Sequence, residues 1–251
     1  MSRPASEPAP GAAQWFSTTH WSVVLAARQG GTPGTASALE KLCRTYWPPL
    51  YAYIRREGHD ATEAQDLTQD FFARLLAKDY LQRLHHQAGK FRSFLLAYLK
   101  NFLSEQRRKA GAQKRGGKCV FVSLNEPPGE EGYLLEPVDD LTPDQVFERR
   151  WAQAVLQTAL DRLRDEYAAR DQAALFEVLQ DYQPREHGGR SYAQLGSDLG
   201  MTEAAVKSAV HRMRNRHREM LREEIAHTVT RPEEIEEELR HFRASLCRER
   251  G

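Results

Sequence analysis

Residues 191–216 read SYAQLGSDLGMTEAAVKSAVHRMRNR, and this stretch decides the fold of the C-terminal half. Ser191 opens a helix, with Gln194 at the position of a capping-box partner. Tyr192, Leu195, Gly196 and Leu199 recur at i, i+3, i+4 and i+7, which is one helical face. Gly200 follows as the stop, because glycine enters the left-handed region at no steric cost. Thr202 caps the next helix, and Glu203 suits the positive end of its dipole. Val206, Ala209, Val210 and Met213 form that helix's inner side. Lys207, Ser208, His211, Arg212 and Arg214 point outward. Small residues are expected where the two helices cross closely, as at Gly196 and Ala205. A brace helix followed by a helix with an outward polar face is the layout a DNA major groove accepts, and the arginines running on through Arg218 suit phosphate. The plain alternative is an amphipathic hairpin with a solvated basic face.

On either side of this stretch the pattern stays helical nearly throughout. Upstream helices are expected over about 21–27, 36–56, 62–78 and 91–109, with Pro48-Pro49 kinking or interrupting the second. In the third, Leu67, Phe71 and Leu75 face inward. In the fourth, Phe91, Phe94, Leu95, Tyr98, Leu99, Phe102 and Leu103 make a wide apolar stripe. Prolines, glycines and acids over 119–142 mark a linker, with CVFVSL (119–124) as a short strand or an extended segment. Thr142-Pro143 reads as a helix start. Helices over about 143–163 and 170–179 follow. Pro232 opens a final acidic helix whose Ile235, Leu239, Phe242 and Leu246 form a stripe able to dock on the chain itself or on a regulator.

The 251-residue chain is 28% charged, yet its net charge is only +1. Blocks of opposite sign therefore cancel in the sum. Basic runs lie at Arg107 to Lys118 and Lys207 to Arg222, and acidic ones at Glu130-Glu131, Asp139-Asp140 and Glu233 to Glu238. Nucleic acid responds to the local patches. Cys43, Cys119 and Cys247 are far apart and form no CxxC, which argues against a zinc ribbon or a disulfide framework and fits a reducing cytoplasm. No apolar run approaches the roughly 18 residues of a membrane span. Asp66 and Asp70 lack a third ligand nearby, and no nucleophile elbow or phosphate loop occurs, so no metal, cofactor or catalytic residue is expected.

Two upstream segments carry a family likeness. Residues 61–76, ATEAQDLTQDFFARLL, resemble the acid-rich A-E-D-L-x-Q-E-x-F-x-x-L helix of region 2 of the sigma-70 family of RNA polymerase sigma factors. Residues 89–110, GKFRSFLLAYLKNFLSEQRRKA, resemble the family's melting and −10 segment, F-R-x-W-L-x-x-I-A-x-N-x-x-x-D-x-x-R, with Phe91, Arg92, Phe94, Leu95, Lys100, Asn101, Glu105 and Arg108 at matching positions. The order of elements is similar to that of the extracytoplasmic-function (ECF) group.

The resemblance implies an all-α protein of two small helical domains on a flexible linker, the second a helix-turn-helix. The expected parts are a disordered N-terminus (1–16), a region 2-like domain (17–118), the linker (119–142), a region 4-like domain (143–227) and a tail (228–251). It implies core polymerase and promoter DNA as partners, with room for an anti-sigma protein and none for a membrane. Asp66, Gln69, Asp70 and Arg74 would meet the polymerase. Lys100, Asn101, Arg107, Arg108, Lys109, Lys114 and Arg115 would meet the −10 region. Thr202, Glu203, Lys207, Ser208, His211, Arg212 and Arg214 would meet the −35 element. Two departures stand out: the run before the helix-turn-helix is longer than the family's, and Gly196 stands where alanine is usual. A self-standing helix-turn-helix regulator would bind duplex without polymerase. A nucleic-acid-modifying enzyme would turn over DNA or RNA.

Overall fold

A computed structural model describes residues 20, 23–24, 33–76, 90–113, 141–180 and 191–247. The expected N-terminal disorder, most of the 21–27 helix, the CVFVSL segment, nearly all of the linker, and Lys114 and Arg115 lie outside these. The described residues are all-helical: α1 (Pro33–Arg56), α2 (Ala61–Leu76), α3 (Phe91–Gln113), α4 (Pro143–Ala168), α5 (Ala173–Gln180), α6 (Tyr192–Leu199), α7 (Glu203–Ala226) and, after a short 3-10 turn at Pro232–Glu234, α8 (Ile235–Cys247). No described helix is long and apolar enough to cross a membrane.

The chain forms two compact units, 1–154 with 226–251, and 155–225. This division differs from the expected one in two places. The opening turns of α4 belong to the first unit instead of the helix-turn-helix half, and so does the whole C-terminal tail. The reason lies in packing. Trp151 is fully buried, and its ring meets Phe242 of α8 edge-on at 6.2 Å between centroids. Backbone bonds add to this: the Phe91 amide donates to the Thr228 carbonyl (2.9 Å), and that of His20 to His227 (2.9 Å). Ile235, Leu239 and Phe242 are buried, so the tail's apolar stripe docks on its own chain.

In the first unit, α1 is not interrupted at Pro48-Pro49. Each proline costs a helix interior about 3 kcal/mol. Leu42, Tyr46, Leu50 and Ile54 are almost wholly buried, at roughly 1.5–3 kcal/mol each for the apolar ones, a gain of the same order as the cost of the two prolines. The Asp60 carboxylate accepts from the Glu63 amide (2.8 Å), capping α2. The buried side of α2 is Ala64, Thr68, Phe71, Phe72 and Leu75. Leu67, expected to face inward, is only half-buried. Thr68 takes the inner position because its hydroxyl donates to the Ala64 carbonyl (2.7 Å), leaving no unmet polar group. Phe71 joins α2 to α3 through Tyr98 (5.0 Å) and Phe102 (5.9 Å), and Trp47 stacks on Phe72 (5.8 Å).

The second unit closes over Leu163, Tyr167, Phe176, Leu179, Leu195, Val206, Val210, Met213 and Met220. Arg162 of α4 bonds to Glu224 (2.7 Å) and Glu223 (2.6 Å) of α7. Arg216 reaches back from α7 to Glu166 (2.9 Å), so it is turned from the outward arginine row. Burial holds the His217 imidazole below its ordinary value, while a hydrogen bond with the Leu156 backbone pulls the other way. Its Nε2 is buried with no partner among the described residues. As pH falls, the unfolded chain then binds the proton first, so stability present above about pH 6.5 is lost as acid carries through the folded value. We expect this unit to weaken from about pH 6.5 downward. In His217→Leu, circular dichroism melts across pH 7 to 5 should lack that slope.

Candidate nucleic-acid interface

The helix pair in the second unit is built as its sequence dictates. Ser191 Oγ accepts from the Gln194 amide (3.2 Å), and the Gln194 side chain accepts from the Ser191 amide (2.8 Å), a complete capping box. Gly200 sits at φ +62°, and the Met201 amide donates to the Gly196 carbonyl (2.8 Å), closing the turn. Thr202 Oγ1 accepts from the Ala205 amide (3.2 Å) and caps α7. Gly196 explains itself: a Cβ built there would lie 2.6 Å from the Met201 carbonyl oxygen. The alanine common in the family has no room without moving backbone. Gly196→Ala should therefore cost about 1–3 kcal/mol. The described tryptophans, Trp47 and Trp151, lie in the first unit, and residues 155–225 contain none. The loss should thus appear in circular dichroism melts and leave the tryptophan transition unmoved.

Thr202, the cap of α7, and Glu203, Lys207, Ser208, His211, Arg212 and Arg214 on α7 are all exposed. Asn215 lies within 3.3 Å of the His211 ring, and its amide oxygen accepts from Arg218 (2.5 Å). The outward face is thus basic and polar over the first three turns, backed by Val206, Ala209, Val210 and Met213.

In the first unit, Asp66, Gln69 and Asp70 are exposed on α2. Arg74 differs from them: it bonds to Glu105 of α3 (3.2 Å) and lies over the Phe102 ring (4.9 Å). On α3, Asn101, Arg108 and Lys109 are exposed. Lys100 and Arg107 are exposed but paired, Lys100 with Asp144 (2.6 Å) and Arg107 with Glu57. Phe94 is half-buried, and Tyr98 and Phe102 are core residues.

One group of charges has no counterpart in the sequence reading. Arg92 is 4% exposed and bonds to Glu238 (2.6 and 3.2 Å) and to Glu148, with Trp151 beneath it at 5.1 Å. His241 bonds to Glu148 (2.9 Å), and Lys90 to Glu237 (2.7 Å) and Glu238 (3.3 Å). The partners of Arg92 stand 56 and 146 positions away along the chain, beyond any local pattern.

The described residues thus present an exposed acidic helix face in the first unit and, in the second, a capped helix pair bearing an outward basic face. Residues 42–113 match the family model for Sigma-70 region 2. The chain is 27% identical over 199 residues to the ECF RNA polymerase sigma factor SigE of Mycolicibacterium smegmatis, covering 79% of this chain and 67% of that protein. No solved structure matches the chain. By these likenesses residues 42–113 resemble Sigma-70 region 2, and the chain as a whole is similar to ECF sigma factors of the sigma-70 family.

Proposed function

We propose that this chain is a sigma factor that directs core polymerase to specific promoters, in the cytoplasm, with one unit on the polymerase and the −10 element and the other on the −35 element. The observation that carries this reading is the region 2 match on helices whose outward residues include Asp66, Gln69 and Asp70. An acidic face on a rigidly packed helix suits a basic protein surface. On α3, Asn101 offers hydrogen bonds to an unstacked base, while Lys100, Arg107, Arg108 and Lys109, with Lys114 and Arg115 further on, hold phosphates. Opening the duplex costs about 1.4 kcal/mol per stacked step. Captured bases and neutralised phosphates offset that cost. In the second unit, α7 enters the major groove with Thr202, Glu203, Lys207, Ser208, His211, Arg212 and Arg214 facing the duplex.

Run-off transcription with purified core polymerase on a genomic promoter pool tests the reading. Discrete transcripts that depend on this chain support it. Their absence with folded protein, or tight specific duplex binding without polymerase, would replace it with a self-standing regulator. Arg212 supplies a finer test. Arg212→Ala should weaken holoenzyme binding by about 1–3 kcal/mol at some promoters and spare others, as loss of a base contact does. A uniform loss measured across the same promoters would reassign Arg212 to phosphate.

A further inference from the structure

The tail of this protein is fastened to the helix that meets the −10 DNA in the reading above, and the fastening has a consequence for that helix. Glu238 on α8 and Glu148 on α4 grip the same guanidinium, Arg92, at the start of α3. Around this grip lie Lys90 with Glu237, His241 with Glu148, and the Phe91–Thr228 backbone bond. The segment opening α4 is held at its other end too. Thr142 and Gln145 cap it reciprocally (2.9 and 3.3 Å), and the Arg56 side chain donates to the Leu141 carbonyl (2.8 Å). So fixed, the first turn of α4 places the Asp144 carboxylate 2.6 Å from the Lys100 ammonium.

We propose that this contact is autoinhibitory: the C-terminal segment is a strap that seats Asp144 on Lys100, where the carboxylate stands in for a DNA phosphate until DNA displaces it. The proposal rests on the −10 role of α3. A carboxylate and a phosphate oxygen make the same demand on an ammonium group, so only one holds it at a time. The pair is about half exposed on both sides, at 46% and 49%, so DNA reaches it without unfolding anything. The strap itself is buried, with Glu238 at 0% and Phe242 at 3% exposed. The seat is thus weak and its mounting strong, as a displaceable contact requires.

The test is a double-mutant cycle in the holoenzyme. The probe is a labelled, premelted duplex of the promoter giving the strongest run-off transcript. Asp144→Asn should bind it roughly threefold more tightly, the range a half-exposed ion pair allows. The gain should vanish in a Lys100→Ala background. Asp161→Asn, the same charge change in the second unit, should give none. Equal affinities for wild type and Asp144→Asn, or a gain that survives Lys100→Ala, would overturn the proposal and leave the promoter reading standing. Absence of any run-off transcript overturns both. Glu238→Gln, with native tryptophan emission, should reproduce the Asp144→Asn gain and speed amide exchange over 143–150; a folded variant with neither change overturns the strap. Should Glu238→Gln not fold, Glu237→Gln at the exposed end of the strap takes its place under the same criteria.

Discussion

Replacing Arg92 with alanine should cost the first unit about 3–5 kcal/mol of stability, read as a lower urea midpoint in tryptophan fluorescence. The side chain is 5% exposed and Glu238 is 0% exposed. Removing the guanidinium leaves Glu238 with Lys90 at 3.3 Å and leaves Glu148 with His241, and a buried carboxylate short of partners is costly. The guanidinium also covers the Trp151 ring, so packing is lost with the charge. Because the cost lies in the orphaned acids, the effects of Arg92→Ala and Glu238→Leu should be far from additive. The double variant should be more stable than Arg92→Ala alone, which equilibrium unfolding of the two singles and the double will decide. The fluorescence signal is specific, since the second unit has no tryptophan.

Reversing charge on the exposed face of α2 should abolish the polymerase partnership without disturbing the fold. Asp66→Arg with Asp70→Arg puts two cations where a basic surface is expected to dock, and like charges brought together at an interface cost several kcal/mol. About 3 kcal/mol corresponds to more than a hundredfold in affinity. Both residues are exposed on the helix surface, so the urea midpoint should move little. Titration of labelled core polymerase with the variant measures the loss. An unchanged dissociation constant would remove α2 from the polymerase interface and with it the division of labour proposed above. Asp66→Asn with Asp70→Asn should lose less, since it removes attraction without adding repulsion.

The helix-turn-helix half was legible because its signals are local. Ser191, Gln194, Gly200 and Thr202 act within three or four residues of themselves, and the structure uses each of them for the bond its chemistry suggests. Val206, Ala209, Val210 and Met213 followed from the helical period alone. The α2 stripe was read with one error. Leu67 looked like the inner residue by hydrophobicity, but Thr68 fills that place because a helix lets a threonine satisfy itself on its own backbone. The uninterrupted α1 shows the same limit from the other side, since local rules gave the prolines a weight that burial overrode.

Local sequence carries the helical class, the caps, most of the inner and outer faces, and the family likeness of residues 61–76 and 89–110. Only tertiary structure decided that the opening of α4 and the tail join the first unit, that Arg92 is a buried clamp, and that Arg74, Lys100 and Arg107 hold intramolecular acids. The physical reason is range. Capping and periodicity act over a few residues of one helix, whereas an ion pair between α3 and α8 joins residues 146 positions apart, and no local pattern carries that information.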